Sequence, residues 1–353
     1  MARFARRVAV GAAAVIGAGA FIERTVIAAP HYHGPHSDHF DGRRFHNLLA
    51  AEPHGAGAVL QWQFSRQPGY WREWVDAPPG PPPPARVAPG GMRVTFVGHA
   101  TMLLQFDGFN ILTDPIWSMR CSPLQSIGPK RHRPPGLRFR DLPPIDVVLV
   151  SHNHYDHLDI ATLHRLRWKF DPRIITPLGN AALMRRHGIP GATELDWWKA
   201  TAVVRPESSA EIAVTLVPAQ HFCARALSDR NANLWGGFVI SGPSGHAYFA
   251  GDTGWGPHFE RIARSFAPIR LAMLPIGAYL PRWFMKPVHI EPAEAVEAHK
   301  ILNAHASVAM HYGTFNLGDD GEREPVDDLR RALAANGESR FWILEHGEGR
   351  DVV

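Results

Sequence analysis

Residues 148–160, VLVSHNHYDHLDI, set His152, His154, Asp156 and His157 within six positions directly after an aliphatic, β-branched run. The stretch IDVVLVSH is short and apolar, which reads as a buried strand ending at about Ser151. His152 and His154, two positions apart, then leave a tight loop on the same side. Asp156 and His157 fall near the start of the following helix and aim at a neighbouring point. Imidazoles and carboxylates crowded in this way suit a metal ion. A lone H-x-H pair decorates many loops, whereas H-x-H-x-D-H straight after a buried strand points to a metal site.

One cluster of four cannot fill the shells of two metals, so further ligands are expected at later strand ends. His221 follows VTLVPAQ, Asp252 follows AYFAG and His311 follows ASVAM, each being the first metal-competent residue after an apolar strand. The remaining pattern fits such a frame. RVTFVGHATMLLQF and FNILTD read as strands joined at Asp107-Gly108, and LDIATLHRLRWKF as a helix with Ile160, Leu163, Leu166 and Phe170 on one side. A second hairpin turns at Pro243-Ser244-Gly245, and helices are expected over HFERIARSF, EPAEAVEAHKIL and PVDDLRRALAANG. Two batches of strands, each interleaved with helices, predict two packed sheets flanked by helices.

Composition narrows the function. A net charge of +4 does not demand nucleic acid, and no aromatic-basic binding stripe is present. Cys121 and Cys223 stand too far apart for a disulfide scaffold and are expected as free thiols. Arg3, Arg6 and Arg7, an uncharged run from Val8 to Ile22, then Glu23 and Arg24 follow the order of a secretory signal. The run is shorter than the ~20 residues of a comfortable membrane span. Residues 1–29 therefore read as a signal peptide or N-terminal membrane anchor, with the arginines cytoplasmic, which predicts an inner-membrane-anchored or periplasmic location. Residues 30–91 read as an N-terminal extension with a proline-rich linker, APPGPPPPARVAPGG (77–91), and residues 92–353 as the main, metal-binding domain. Trp62, Phe64, Tyr70, Trp71 and Trp74 of the extension are expected to pack on that domain.

The H-x-H-x-D-H cluster with the later His, Asp and His resembles the metallo-β-lactamase superfamily of metal-dependent hydrolases. The resemblance implies an α/β fold, an αββα sandwich of two mixed β-sheets flanked by helices. The blocks VGHATMLLQ, LTDPIWS, SPLQSIGPKRHR, PAQHFCAR, LWGGFVI, FAGDTG, LPIGAYLPRWFMKPVHIEPAEAV and HYGTF recur in this order over about residues 93 to 346. Together they are similar to the N-acyl-phosphatidylethanolamine-hydrolysing phospholipase D family. That likeness implies that His152, His154 and His221 hold one zinc, that Asp156, His157 and His311 hold a second, and that Asp252 bridges the two. Two Zn2+ per chain are thus expected, with iron or manganese as alternatives for a thiolate-free set.

It further implies a phosphodiesterase of phospholipase D type, in which water acidified between the metals attacks phosphorus and releases phosphatidic acid and an N-acylethanolamine. Asp156 and His289 are the catalytic candidates, and His289, in KPVHIEP, would bind the phosphate or protonate the leaving group. His99 and Asp114 read as residues that orient strands and ligands, not as ligands themselves. The expected partners are a phospholipid and a membrane surface, without nucleic acid; a homodimer is compatible with the sequence. Lys130, Arg131, His132, Arg133, Arg138 and Arg140 suit anionic head groups. Leu280 stands where the family pattern has a glutamate, which bears on substrate preference. The competing reading is a hydrolase of the same fold acting on a lactone or another phosphodiester. A non-catalytic metal-binding protein is disfavoured by the complete set of seven ligand-type residues.

Overall fold

The structure is a computed structural model that describes residues 27–50, 55–205 and 210–353. Residues 1–26, which carry most of the expected signal or anchor, lie outside the described residues. Among the described residues, no helix is long and apolar enough to cross a membrane.

Fourteen strands among the described residues form two seven-stranded sheets. The first has the order β14-β1-β2-β3-β4-β5-β6 and uses Gly349–Asp351, Met92–Gly98, Thr101–Phe106, Phe109–Thr113, Val147–Leu149, Arg173–Pro177 and Thr193–Leu195. The second has the order β13-β12-β11-β10-β9-β8-β7 and uses Phe341–Trp342, Ala306–Met310, Leu271–Pro275, Gly245–Phe249, Gly237–Gly242, Ala210–Val217 and Ala200–Arg205. Both sheets are mixed. β1–β3 pair antiparallel before β3–β6 run parallel. β7–β10 likewise pair antiparallel before β10–β13 run parallel.

The period of two along each strand explains why the sheets stack. Met102, Leu104, Ile111, Val147 and Leu149 face a core shared with Val214, Leu216, Phe238, Ile240 and Phe249 of the second sheet. Their alternates Leu103, Leu112 and Val148 face outward, where they pack with Leu163 and Leu166 of helix α2 (Ile160–Phe170). Strands buried on both faces read as uninterrupted apolar runs, as VVLV does. The αββα sandwich follows from that double burial. Helix α6 (Pro292–Ile301) and helix α7 (Glu324–Asn336) contribute Ala295, Val296 and Leu329 to the core around the second sheet.

Two local readings differ from expectation. RVTFVGHATMLLQF is two strands, because Gly98 (φ 139°) and His99 (φ 57°) reverse the chain between β1 and β2. β7 (ATAVVR) is an edge strand with Val203 as its one buried residue, too exposed to read as a strand from the sequence.

The extension is built into the domain. Phe40 and Phe45 are buried in the main core, and Tyr32 packs edge-on against Phe40. Helix α1 (Ala56–Ser65) stacks Trp62 on Phe284 of the short helix α5 (Arg282–Met285), and Trp71 donates to the Asp320 carbonyl. Phe64, Tyr70 and Trp74 are exposed, against the expectation that they pack on the domain. Both cysteines are free and buried.

Candidate metal centre

The seven side chains marked in the sequence converge at the C-terminal ends of β4, β8, β10 and β12. His152 Nε2 lies 2.8 Å from His154 Nδ1, which lies 3.3 Å from His221 Nε2. His157 Nε2 stands 3.1 Å from Asp156 Oδ2, and His311 Nε2 stands 3.5 Å from the same oxygen. Asp252 Oδ2 is shared between the two sets: 3.2 Å from His157 Nε2, 3.1 Å from His311 Nε2 and 3.9 Å from His221 Nε2. Asp156 and His157 sit in a turn before α2, not on it. The helix starts at Ile160, where the Asp159 carboxylate caps the Ala161 amide.

The donor set fits cations. Ligand atoms ~2.0–2.2 Å from a four-coordinate zinc stand roughly 3.3–3.6 Å apart, close to most of these spacings. Several atoms of the cluster lack hydrogen bonds. His157 Nε2, His311 Nε2 and Asp252 Oδ1 are buried and have no hydrogen-bond partner among the described residues. Buried polar atoms are ordinarily paired, so three such atoms left unpartnered around one carboxylate suit a cation site.

Neighbouring groups fix the rings. Asp114 Oδ2 accepts from His157 Nδ1 at 2.6 Å, leaving Nε2 to face the carboxylates. Ser151 donates to the same carboxylate through its amide at 2.7 Å and its hydroxyl at 2.6 Å, and Ser151 Oγ also meets His152 Nδ1 at 2.9 Å. The Val288 carbonyl lies 3.0 Å from His221 Nδ1. Such partners set the tautomer and aim of an imidazole ligand. His99, Asp114 and His311 have positive φ (57°, 35° and 63°), backbone conformations that cost energy and gather at functional sites.

Burial also sets the protonation. It pushes the His152 and His221 imidazoles well below the usual range and His154 down to about 4, so their nitrogens are neutral donors. Burial works the same way on His157 and His311, but Asp252 and Asp156 outweigh it and raise both, His311 to about 9. Cations seated between these carboxylates and imidazoles would replace those protons.

His289 is half-buried beside the cluster, its Nδ1 buried, 4.0 Å from Asp252 Oδ2 and without a hydrogen-bond partner among the described residues. Burial lowers it to about 4. His99, read as an orienting residue, meets a candidate ligand directly, with Nε2 2.8 Å from Asp156 Oδ2. Arg225 went unnoticed in the sequence: it stacks over Tyr155 at 3.7 Å and donates to the carbonyls of Asn153 and Leu158, bracing the ligand loop. Two residues of the basic run turn inward, while Lys130, Arg138 and Arg140 are exposed. Arg131 is buried and donates to the carbonyls of Ser118 and Ile116, while Arg133 pairs with Glu322.

Comparison with known proteins gives this geometry its relatives. The Beta-lactamase superfamily domain profile matches residues 109–312. An N-acyl-phosphatidylethanolamine-hydrolyzing phospholipase D of Caenorhabditis elegans is 41% identical over 73% of this chain and 75% of its own length. The mitochondrial enzyme of the same designation from Saccharomyces cerevisiae is 36% identical over 72% of this chain, which spans 54% of it. Among solved structures, an isothiocyanate hydrolase from Delia radicum gut bacteria superposes with a TM-score of 0.59 at 22% identity, covering 73% of this chain and 98% of that one, a likeness of fold.

Proposed function

Because the chain belongs to the metallo-β-lactamase superfamily and is a metal-dependent hydrolase, we propose that it is a dinuclear-zinc phosphodiesterase of phospholipase D type. Its substrates would be N-acyl-phosphatidylethanolamine-like lipids, cleaved to phosphatidic acid and an N-acylethanolamine. The observation that carries the reading is the sharing of Asp252 Oδ2 between two sets of ligand atoms. One set of three histidines and one of mixed carboxylate and imidazole thus meet at a single oxygen. His152, His154 and His221 would hold the first cation, Asp156, His157 and His311 the second, and Asp252 both.

Bound divalent cations supply Lewis acidity, which lowers the pKa of a water and offsets charge on phosphoryl oxygens. The chain does the rest. Asp114 holds the Nδ1 proton of His157, and the Val288 carbonyl engages His221 Nδ1, keeping both Nε2 lone pairs inward. His289, neutral and with Nδ1 unpaired, is suited to hydrogen-bond a phosphate oxygen beside Asp252. Leu60 and Phe64 of α1 and Trp283 of α5 are exposed next to the stacked Trp62–Phe284 pair, which supports contact with a lipid surface near the site. The nematode and yeast relatives carry the name of this reaction, and that supports the choice of bond. The domain division at residues 29 and 91 and a membrane-proximal location belong to the same reading.

The test is direct: purified protein, zinc-loaded, incubated with N-acyl-phosphatidylethanolamine and separately with lactones. Release of phosphatidic acid is expected. Steady lactone turnover without lipid cleavage would overturn the proposal.

A further inference from the structure

The candidate ligand His221 is gripped by a residue remote from it in sequence. Asn47 lies in the polar stretch before β1, and its carboxamide meets both backbone groups of His221. Nδ2 donates to the His221 carbonyl at 2.8 Å, and Oδ1 accepts from the His221 amide at 3.0 Å. Oδ1 also accepts from Trp235 Nε1 at 3.1 Å, an indole shared with the Ala219 carbonyl. Two residues on, the Leu49 amide donates to Gln220 Oε1 at 3.4 Å, and Gln220 Nε2 donates to the Leu49 carbonyl at 3.2 Å. Segment 47–49 therefore lies along residues 220–221 as a neighbouring strand would, with side-chain amides standing in for peptide groups. On the other flank, the Gly254 amide donates to the Gln220 carbonyl at 2.8 Å, tying the same segment to the residues after Asp252.

The need for such a clamp follows from the topology. β8 ends at Val217, so His221 lies beyond the strand ladder that would pair its amide and carbonyl. The residue is 1% exposed, so bulk water cannot take their place. With the backbone fixed by Asn47 and the ring held at Nδ1 by the Val288 carbonyl, Nε2 is left 3.3 Å from His154 Nδ1.

We propose that Asn47 is a positioning residue for the three-histidine cation position, acting through the backbone of His221; this rests on the reading of His221 as a ligand. The extension before the sandwich is thereby part of the support of the metal centre. The role requires a side chain that both donates and accepts at one point, which a carboxamide does and a carboxylate does not. Partners of this kind, when removed, cost metal sites roughly 10–100-fold in affinity.

Full-length protein, stripped of metal, is titrated with Co2+ while the visible absorption of the bound ion is followed, and amide exchange at His221 is measured without added cation. In Asn47→Ala, one of the two binding steps weakens by roughly 10–100-fold while the other holds, and the His221 amide loses protection. Asn47→Asp, which keeps the acceptor and loses the donor, shifts the same step by a smaller factor. Wild-type binding steps with a protected His221 amide in Asn47→Ala would overturn the inference. Equal weakening of both steps with a lowered melting temperature would also overturn it, because that marks general loosening of the fold. Failure of the wild type to bind a pair of cations would instead sink the ligand assignment, while the exchange measurement still reports on the clamp alone.

Discussion

Replacing Asp114 by asparagine separates the aim of a ligand from its presence. Asp114 touches no other carboxylate of the cluster, but it accepts from the Ser151 amide on Oδ1 and from Ser151 Oγ and His157 Nδ1 on Oδ2, all within 2.7 Å. An amide in that place has one acceptor oxygen, so whichever way it flips an NH2 meets either the Ser151 N–H or the His157 Nδ1–H. One charge-assisted hydrogen bond is lost, worth about 1.5–3 kcal/mol. The relief open to His157 is to move its proton to Nε2, the nitrogen that faces Asp156 and Asp252. The cation at the Asp156–His157–His311 position then loses a lone pair, and its affinity should fall roughly 10–100-fold, a range that corresponds to about 1.4–2.7 kcal/mol. Calorimetric titration of metal-free Asp114→Asn with Zn2+ should show one weakened step, and urea unfolding without metal a loss of about 1.5–3 kcal/mol. Two steps of wild-type affinity in a variant destabilised by that amount would refute the claim that Asp114 acts through the His157 tautomer.

Other outcomes follow from the same contacts. His154→Ala or Asp252→Asn should abolish turnover and leave the far-ultraviolet circular dichroism of the sandwich unchanged; full activity in either would remove that residue from the centre. Chelation of the wild type should silence the enzyme reversibly, with activity returning on addition of zinc. Glu322 is buried, which pushes its carboxyl up, but hydrogen bonds and charge from Arg72 and Arg133 outweigh this and hold it below the ordinary 4.5. A depressed carboxylate stabilises the fold above its unfolded pKa and loses that contribution as pH falls through the folded one. Glu322→Gln should therefore cost about 1.5–3 kcal/mol near pH 7, and the gap should close in acid; a gap that widens in acid would reverse the sign.

The legible part of the site is the part written contiguously. His152, His154, Asp156 and His157 fall in one loop after a buried strand, and His221, Asp252 and His311 each open the loop after another, so strand ends were enough to find them. The sandwich was legible for a related reason: alternate residues of β2, β3 and β4 are buried on both faces, which leaves apolar runs. What escaped depends on long-range contact. The contact of His99 with Asp156 depends on the Gly98–His99 turn that folds β2 back on β1. Arg131 and Arg133 look like surface charge in sequence, yet Arg131 is buried against carbonyls and Arg133 half-buried against Glu322. Asn47 carries no local signal at all, since its partners lie 174 and 188 positions away.

The chemistry at the heart of this account is attack of water on phosphorus, and isotope placement reads it. Zinc-loaded protein turning over N-acyl-phosphatidylethanolamine in 18O-water should put the label in the phosphate of phosphatidic acid and none in the N-acylethanolamine, by mass spectrometry of both products. Label in the ethanolamine hydroxyl, or intact lipid after prolonged incubation, would contradict it.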